Sequence, residues 1–199
     1  MLTLHRNNQE TRVALNAYLL LKGERQGEIK GSVTQKGREG KIMVIAVEHE
    51  LVSPRDPASG QATGKRMHKP FVITKELDAS SPLLYAAFTT NENLATWELQ
   101  FWAPAAGTGT GTGTEVMRYT VRLTNACISG IRFHMLNNKN PELARYAEFE
   151  EVAFTYQRID WTWIPGGKTS GDDWGARQRA SAKARPAVKA PSRAPRKQS

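Results

Sequence analysis

The sequence predicts a mainly β protein, an antiparallel β-barrel of two packed sheets with one flanking α-helix. Short stretches in which apolar and polar residues alternate recur along the chain, a pattern typical of strands with one buried face. Only one stretch changes to a helical period. About seven strands with a single helix favour a closed or nearly closed antiparallel barrel, with the helix covering one flank.

The clearest strand lies at the start of the stretch Lys69–Phe88. Phe71, Ile73 and Leu77 are predicted to point to one side of this strand, and the intervening side chains to the other. The sequence therefore places one strongly apolar strand face directly before the only convincing helix.

The helix is predicted to begin with Ser81 as its N-cap, because this hydroxyl can accept a hydrogen bond from an amide of the first turn. Pro82 suits the first helical position, where a missing N–H costs nothing. Leu84 and Phe88 are four residues apart and are expected to share a face. Almost every residue up to Phe88 is apolar, so the helix needs cover on more than one side.

The stretch Lys41–Leu51 is predicted to be a strand with two apolar faces. Ile42, Val44 and Ala46 would lie on one side, and Met43, Ile45 and Val47 on the other. In a chain with so little helix to cover a sheet, the second face is expected to pack against a neighbouring subunit. The loop that follows, Ser53–His68, is long enough to be either functional or disordered.

The remaining strands are expected from Ala17 to Leu21, Glu28 to Val33, Leu94 to Trp102, Val116 to Leu123 and Phe149 to Trp163. Ile128–Leu136 is expected to continue the strand Val116–Leu123. Leu94–Trp102 and Val116–Leu123 form a hairpin whose tip is the repeat Gly107–Thr114. The apolar residues of the last strand shift phase by one position, which predicts a β-bulge.

The positive charge of the chain is confined to its C-terminal end. The net charge is +9, but eight of the 28 basic residues and no acidic residue lie between Ala176 and Ser199. The rest of the chain then has 20 basic and 19 acidic residues, a net charge of +1. The composition of the tail predicts disorder. Nucleic-acid binding is unfavoured because no aromatic residue is interleaved to stack on bases.

No pattern in the sequence indicates an enzyme, a metal or a cofactor. The single cysteine, Cys127, excludes an internal disulfide framework and a cysteine-based zinc site. The four histidines are far apart, and His49 is expected to lie on the opposite face of its strand from Glu48 and Glu50. The Gly-Thr repeat lacks the lysine of a phosphate-binding loop. The pair Asp172-Asp173 follows the last predicted strand, without a partner acid or base.

The N-terminus lacks the apolar core of a signal peptide. No run of apolar residues approaches the length of a membrane span. A soluble protein made in the cytoplasm, without membrane insertion, is therefore expected.

Several short motifs lie at specific spacings along the chain. They are Ile29-Lys30-Gly31-Ser32-Val33, Arg38-Glu39-Gly40, Glu48-His49, Leu51, Thr63-Gly64, Arg66, His68, Pro70-Phe71, Thr74-Lys75-Glu76, Asp78, Ser80-Ser81-Pro82, Leu84-Tyr85, Ile159, Trp161-Thr162-Trp163 and Asp172–Trp174. Together these residues resemble the Hcp (haemolysin-coregulated protein) family of type VI secretion tube proteins. The resemblance divides the chain into an N-terminal arm (1–16), an Hcp-like barrel domain (17–177) and a basic tail rich in proline and alanine (178–199). The arm, the Gly-Thr repeat and the tail are not part of the family pattern.

The resemblance implies hexameric rings that stack into a hollow tube, carry effector proteins in the lumen and are exported without a signal peptide. Type VI sheath, spike and effector proteins would be partners. The long loop would join successive rings through Ser53, Pro54, Arg55, Asp56, Gly60, Thr63, Gly64, Lys65, Arg66 and His68. The contact between subunits of one ring would involve Ile45, Val47, Leu84, Tyr85 and Phe88.

Two other functions stay open at this point. One is a nucleic-acid-binding barrel that uses the basic tail, and the other is a small enzyme with a pocket at the mouth of the barrel. Binding to nucleic acid would weaken steeply with salt, whereas ring assembly by apolar burial would not.

We predict that residues 178–199 are dispensable for folding and ring formation. Val188 is the one large apolar side chain in this segment, so little buried surface could offset its ordering entropy. A chain truncated after Arg177 should keep the thermal midpoint of the full chain in a melting experiment. A fall of many degrees would mean that the tail packs on the domain.

Overall fold

The computed structural model describes residues 16–105 and 115–174. Within these ranges it contains thirteen strand segments and one helix. They are β1 (Asn16–Gly23), β2 (Gly27–Glu28), β3 (Ile42–Val44), β4 (Ala46–Glu48), β5 (Leu51–Val52), β6 (Met67–His68), β7 (Phe71–Glu76), α1 (Ser81–Thr89), β8 (Leu94–Pro104), β9 (Glu115–Thr124), β10 (Cys127–His134), β11 (Phe149–Thr155), β12 (Arg158–Trp163) and β13 (Lys168–Asp173). Apart from Asn16, which begins β1, the predictions for the arm, the Gly-Thr repeat and the tail fall outside the described residues.

Two antiparallel sheets enclose the core. The larger has the order β13-β12-β9-β8-β1-β2, with β3 also paired to β1, and the smaller has the order β10-β11-β7-β4. Trp97 of the larger sheet is fully buried, and its ring lies edge-on at 5.0 Å from Phe71 and 5.4 Å from Phe154 of the smaller sheet, centroid to centroid. The predicted class, mainly β with two packed sheets and one helix, is confirmed, although the sheets do not close into a continuous barrel.

The predicted single strand Lys41–Leu51 is in fact three short strands in three different sheets. β3 pairs with β1 of the larger sheet, β4 with β7 of the smaller sheet, and β5 with β6 in a separate hairpin. Ile45 lies where the chain passes from one sheet to the other, and its amide donates a hydrogen bond of 2.9 Å to the carbonyl of Thr74. The continuous apolar pattern therefore conceals a change of sheet.

The predicted β-bulge between Phe149 and Trp163 is also a change of sheet. β11 belongs to the smaller sheet and β12 to the larger, and the chain crosses between them at Tyr156-Gln157. The shift in apolar phase arises because the two sheets present opposite sides of the chain to the same core. β10 likewise does not continue β9: the chain turns at Asn125, which has a φ of 49°, and enters the smaller sheet.

The N-cap of helix α1 is one residue earlier in the chain than the predicted N-cap, Ser81. Ser80 occupies the N-cap position, without a side-chain capping bond, and Ser81 is the first helical residue. The turn before the helix is held by Asp78, whose Oδ1 accepts hydrogen bonds from the amide and the hydroxyl of Ser80 at 2.9 Å and 2.5 Å. The Ser81 hydroxyl is directed into the core instead.

The inner face of β7 contains a buried charge that the apolar pattern does not predict. Lys75 is completely buried beside Phe71 and Ile73, whereas Leu77, predicted for this face, is 44% exposed. Lys75 lies directly opposite Glu150 of β11 in the strand register, and Glu150 is also completely buried.

The buried ion pair connects the sheet to the helix. Lys75 Nζ lies 2.8 Å from Glu150 Oε1, 2.9 Å from Asp78 Oδ1 and 3.0 Å from Ser81 Oγ. Ser81 Oγ in turn donates to Glu150 Oε1 at 2.8 Å. Burial alone would raise the pKa of Asp78, but the hydrogen bonds from Ser80 and Lys75 outweigh it and lower that pKa. The start of α1 is therefore fixed on the smaller sheet by a polar cluster.

Gly31 allows the chain after β2 to pass against this cluster. A β-carbon at Gly31 would lie 2.5 Å from the carbonyl oxygen of Lys41 and 2.7 Å from Asp78 Oδ2. The same carboxylate oxygen accepts a hydrogen bond from the amide of Ser32 at 3.3 Å. A side chain at position 31 would therefore separate the Asp78 turn from the neighbouring chain.

We predict that removing the buried cation destabilises the fold more than removing its anion. Lys75→Met leaves Glu150 as a buried carboxylate with Ser81 as its remaining partner, which should cost about 3–5 kcal/mol of unfolding free energy. Glu150→Gln leaves Lys75 with Asp78 and should cost less, about 1–3 kcal/mol. Chemical denaturation at fixed protomer concentration measures both.

Lys30→Met is the matched control, because Lys30 pairs with Glu28 at the surface, where both side chains are more than 60% exposed. It should change the unfolding free energy by no more than about 0.5 kcal/mol. Equal denaturation midpoints for Lys75→Met and Lys30→Met would contradict the role given to the buried pair.

Candidate assembly surfaces

The first candidate surface, here called the strand patch, consists of Met43, Ile45 and Leu77. These side chains are 41%, 56% and 44% exposed, and they line one groove of about 430 Å³. The alternation of β3 creates the patch: Ile42 and Val44 point into the core, so Met43 and Ile45 must point out. The patch is apolar surface that the protomer itself does not cover.

Val47, predicted to share a face with Ile45, lines a different groove of about 700 Å³. Val72, Ile131 and Ala153 also line this groove, which crosses the outer face of the smaller sheet. The structure therefore separates two residues that the sequence places together. The break between β3 and β4 is the reason.

The second candidate surface, here called the helix patch, consists of Tyr85 and Phe88 on α1. Both are about 40% exposed. Leu84, predicted to lie in the same subunit contact, is completely buried within the protomer, together with Ala87. Leu84 therefore faces the core and is not available to a neighbour, whereas Phe88, one turn further along α1, remains partly exposed.

The long loop Ser53–His68 forms a hairpin, closed at its base by β5 and β6 and narrowed further out by a bridge between Arg55 and Ala62. Asp56 organises the tip, because its Oδ1 accepts hydrogen bonds from the amides of Ala58 and Ser59 at 2.9 Å and 2.7 Å. These bonds lower the pKa of Asp56, the amide of Ser59 having the largest effect. The tip therefore has a defined, hydrogen-bonded conformation, although most of its side chains are exposed.

The returning arm of the hairpin is attached to β13. Arg66 makes two parallel hydrogen bonds to Asp172, Nε to Oδ2 at 2.9 Å and Nη2 to Oδ1 at 2.6 Å. The hydrogen bond from Arg66 is the main reason why the pKa of Asp172 lies below its ordinary value. The fold therefore brings together Arg66, predicted to lie in the stacking loop, and Asp172, predicted to follow the last strand.

His68 ends the hairpin and lies in a network rather than at the surface. Only 3% of its side chain is exposed. Its Nε2 lies 3.0 Å from Asp172 Oδ2 and its Nδ1 lies 3.0 Å from the Tyr156 hydroxyl, which is also 2.6 Å from His49 Nε2. The ring of Trp174 packs against the ring of His68, with 5.0 Å between the ring centroids. His68 therefore anchors the base of the hairpin and does not belong to its exposed surface.

The other predicted loop residues lie further along the hairpin. Ser53, Pro54 and Thr63 lie between its base and its tip, and the carbonyl of Pro54 accepts a hydrogen bond of 3.0 Å from the amide of Thr63. Gly60 has a φ of 69° at the tip, and its carbonyl accepts a bond from Arg55. Gly64 and Lys65 are exposed on the returning arm.

The described residues contain no group of three or more potential metal ligands. Among them, no helix is both long and apolar enough to cross a membrane.

Comparison with known proteins agrees with the fold. The family model described as "Type VI secretion system effector, Hcp" matches residues 18–163. The chain belongs to the Hcp family. It is 40% identical over 171 residues to the "Major exported protein" of Pseudomonas aeruginosa, and the match covers 81% of this chain and 96% of the relative. This Hcp chain is therefore a tube protein of the type VI secretion system.

Solved Hcp structures have the same architecture. A crystal structure of an Hcp protein aligns with a TM-score of 0.73 and 32% identity, over 81% of this chain and 98% of the other. Hcp1 from the EAEC 042 pathovar of E. coli aligns at 0.69 and 35% identity, over 81% and 99%. Hcp3 from Pseudomonas aeruginosa aligns at 0.64 and 34% identity, over 81% and 99%.

Sequence reasoning missed several residues that position these surfaces. Lys75, Glu150 and Asp78 fix the helix, and Tyr156 and Asp172 anchor the hairpin. A charged residue at an inward-pointing position of β7 is the signal that could have revealed Lys75. No local pattern marks Tyr156, because its partners lie 107 and 88 residues away in the sequence.

Proposed function

We propose that this Hcp protein forms hexameric rings that stack into the type VI secretion tube and carry effector proteins in the lumen. The rings would assemble in the cytoplasm and be exported with their cargo, and the sheath, spike and effector proteins of the system would be partners. The proposed role is structural rather than catalytic. Membership of the Hcp family gives no support to the nucleic-acid-binding alternative.

The observation that carries the ring proposal is the pair of exposed apolar patches on different elements. A closed ring needs a head-to-tail contact, in which one surface of a protomer meets a different surface of the next. The strand patch and the helix patch provide two such surfaces. Each large apolar side chain buried in the contact would contribute about 1–2 kcal/mol, since each is only partly exposed beforehand.

We expect a charge in either patch to prevent ring formation without unfolding the protomer. Ile45→Glu and Tyr85→Glu each place a carboxylate in an apolar contact, so light scattering should show small species with unchanged circular dichroism. Met135→Glu is the matched control, because Met135 is 57% exposed, close to the 56% of Ile45, and belongs to neither patch. It should remain ring-sized.

Mixing the two variants distinguishes a head-to-tail contact from a symmetric one. The Ile45→Glu protomer keeps an intact helix patch and the Tyr85→Glu protomer an intact strand patch. An equimolar mixture should therefore form dimers through the one intact pairing and stop there. Monomers in the mixture, or rings from either variant alone, would contradict this assignment of the interface.

For stacking, we propose that the hairpin β5–β6 reaches the next ring. Its tip and arms contain charged groups that the protomer does not bury, among them Asp56, Lys65 and Arg55. Single exposed ion pairs contribute about 0–1 kcal/mol each, but six copies per ring would act together through avidity. Association between rings should therefore weaken with added salt, while the rings themselves persist.

Replacing Arg55–Thr63 with a short Gly-Ser linker should preserve rings and abolish both tube growth and secretion. The change removes the tip but keeps the pairing of β5 with β6 and the Arg66–Asp172 anchor. Electron microscopy of purified protein and the amount of protein in the culture medium measure the two effects. Normal tubes and normal export from the shortened chain would exclude the hairpin as the stacking element.

A further inference from the structure

We propose that His49, Tyr156 and His68 form a pH-sensitive anchor that holds the hairpin β5–β6 on the protomer and releases it when both histidines are protonated. The release is a property of the protomer itself. Its consequence for tubes rests on the proposed function of the hairpin in ring stacking.

The three residues join both ends of the hairpin to the body of the protein. His49 lies just before β5, where the chain enters the hairpin, and His68 is the last residue of β6, where the chain leaves it. Tyr156 lies between them at the crossing from β11 to β12, and its hydroxyl is within hydrogen-bond distance of both rings. One hydroxyl group therefore fixes the two legs of the hairpin.

With both histidines neutral, the chemistry of the partners sets every hydrogen-bond direction. The Asp172 carboxylate can only accept, so His68 Nε2 must carry a hydrogen and His68 Nδ1 must be the bare nitrogen. The Tyr156 hydroxyl then donates to His68 Nδ1, and its oxygen accepts from His49 Nε2–H. The chain of donors runs from His49 through Tyr156 and His68 to Asp172, and each contact is satisfied.

A single added proton can be accommodated by reversing two bonds. If His68 is protonated, its Nδ1–H donates to the Tyr156 oxygen, and the hydroxyl turns to donate to His49 Nε2 in the other tautomer of that ring. The positive charge on His68 faces the carboxylate of Asp172 at 3.0 Å. The hairpin can therefore stay in place with one proton bound.

A second proton cannot be accommodated. Both rings would then direct an N–H at the same phenolic oxygen, and among the described residues the hydrogen-bond partners of that hydroxyl are these two rings. Its hydrogen would be left without an acceptor in the network, and two imidazolium cations would lie on either side of one oxygen. Moving a leg of the hairpin away from Tyr156 relieves both problems.

The surrounding charges do not cancel this repulsion at His49. Asp172 is the acidic group in contact with His68, but it is already engaged twice by Arg66. The chain neighbours Glu48 and Glu50 are exposed, and Glu50 lies 3.7 Å from Lys69. Phe71, the other ring packed against His49, is apolar, with 5.0 Å between ring centroids.

The direction of the pH effect follows from the burial of the network. Burial, with a further contribution from His68, lowers the pKa of His49 below its ordinary value, and burial raises that of Tyr156 to about 12. The Tyr156 hydroxyl therefore keeps its proton at neutral and acidic pH. Protonation of His49 is less favourable in the anchored hairpin than in the released one. Anchoring should be complete above the ordinary histidine pKa of about 6.5 and should weaken as the pH falls through and below it.

Hydrogen–deuterium exchange of the full chain between pH 7.5 and 5 tests the anchor. Protection factors are compared between peptides from residues 51–68 and from β8, so that the intrinsic pH dependence of exchange is removed. One pH unit below about 6.5, protection of the hairpin should have fallen about tenfold. The reason is that the released hairpin can bind a second proton, whereas the anchored network cannot. Protection of β8 should not change.

Three variants make the test specific. His49→Gln keeps a donor for Tyr156 but cannot be protonated, so the pH dependence of hairpin protection should disappear. His134→Gln, which changes a histidine outside the network, should behave as the wild type. Tyr156→Phe should leave the hairpin weakly protected at every pH. Constant protection in the wild type from pH 7.5 to 5, or an unchanged pH profile in His49→Gln, would overturn the proposal.

The same samples separate this inference from the proposed stacking role. If the hairpin is released at low pH and assembled tubes fall apart into rings, both hold. If the hairpin is released but tubes persist, the anchor holds and the stacking role of the hairpin fails. If tubes fall apart while the hairpin stays protected, the anchor is wrong and another titrating contact controls stacking.

Discussion

The buried pair of Lys75 and Glu150 is the constraint on which the helix patch depends. It sets two central strands of the smaller sheet opposite each other, and through Ser81 and Asp78 it also fixes the first turn of α1 on that sheet. Replacing a buried ion pair with apolar residues is often neutral for stability, so its role here is better described as fixing position. Tyr85 and Phe88 have a defined position on the surface because these contacts hold the first turn of α1 against the smaller sheet.

The chain passes between the two sheets at Ile45 and at Tyr156-Gln157, and both crossings lie at candidate functional surfaces. At a crossing, a side chain can leave the core while the backbone stays hydrogen-bonded. Ile45 uses this to present an apolar side chain outward, and Tyr156 uses it to reach both legs of the hairpin. The sheets are not closed into a barrel, and candidate functional residues lie at both crossings.

Local periodicity predicted the class of fold, the place of the helix and the exposure of Ile45, because each depends on a few neighbouring residues. It failed where two different buried surfaces produce the same pattern. Alternation continues through Ile42–Val47 although the sheet changes, and a phase shift before Ile159 looks the same for a bulge as for a crossing. Leu84 and Phe88 are equally apolar, so only the packing of α1 could assign one to the core. Lys75 could not be placed because its partner lies 75 residues away.

The two kinds of surface are expected to differ in how they respond to pH and ionic strength. Contacts within a ring would rest on apolar patches, whose burial depends little on salt or on pH. The hairpin is held and directed by ionisable groups, from Asp56 at its tip to Arg66, Asp172 and two histidines at its base. On the proposed assembly, a change of pH or ionic strength would act on the contacts between rings and leave those within a ring largely unchanged. The separation follows from the side chains that form each surface: the strand and helix patches consist of Met43, Ile45, Leu77, Tyr85 and Phe88, whereas the hairpin is anchored through ionisable groups.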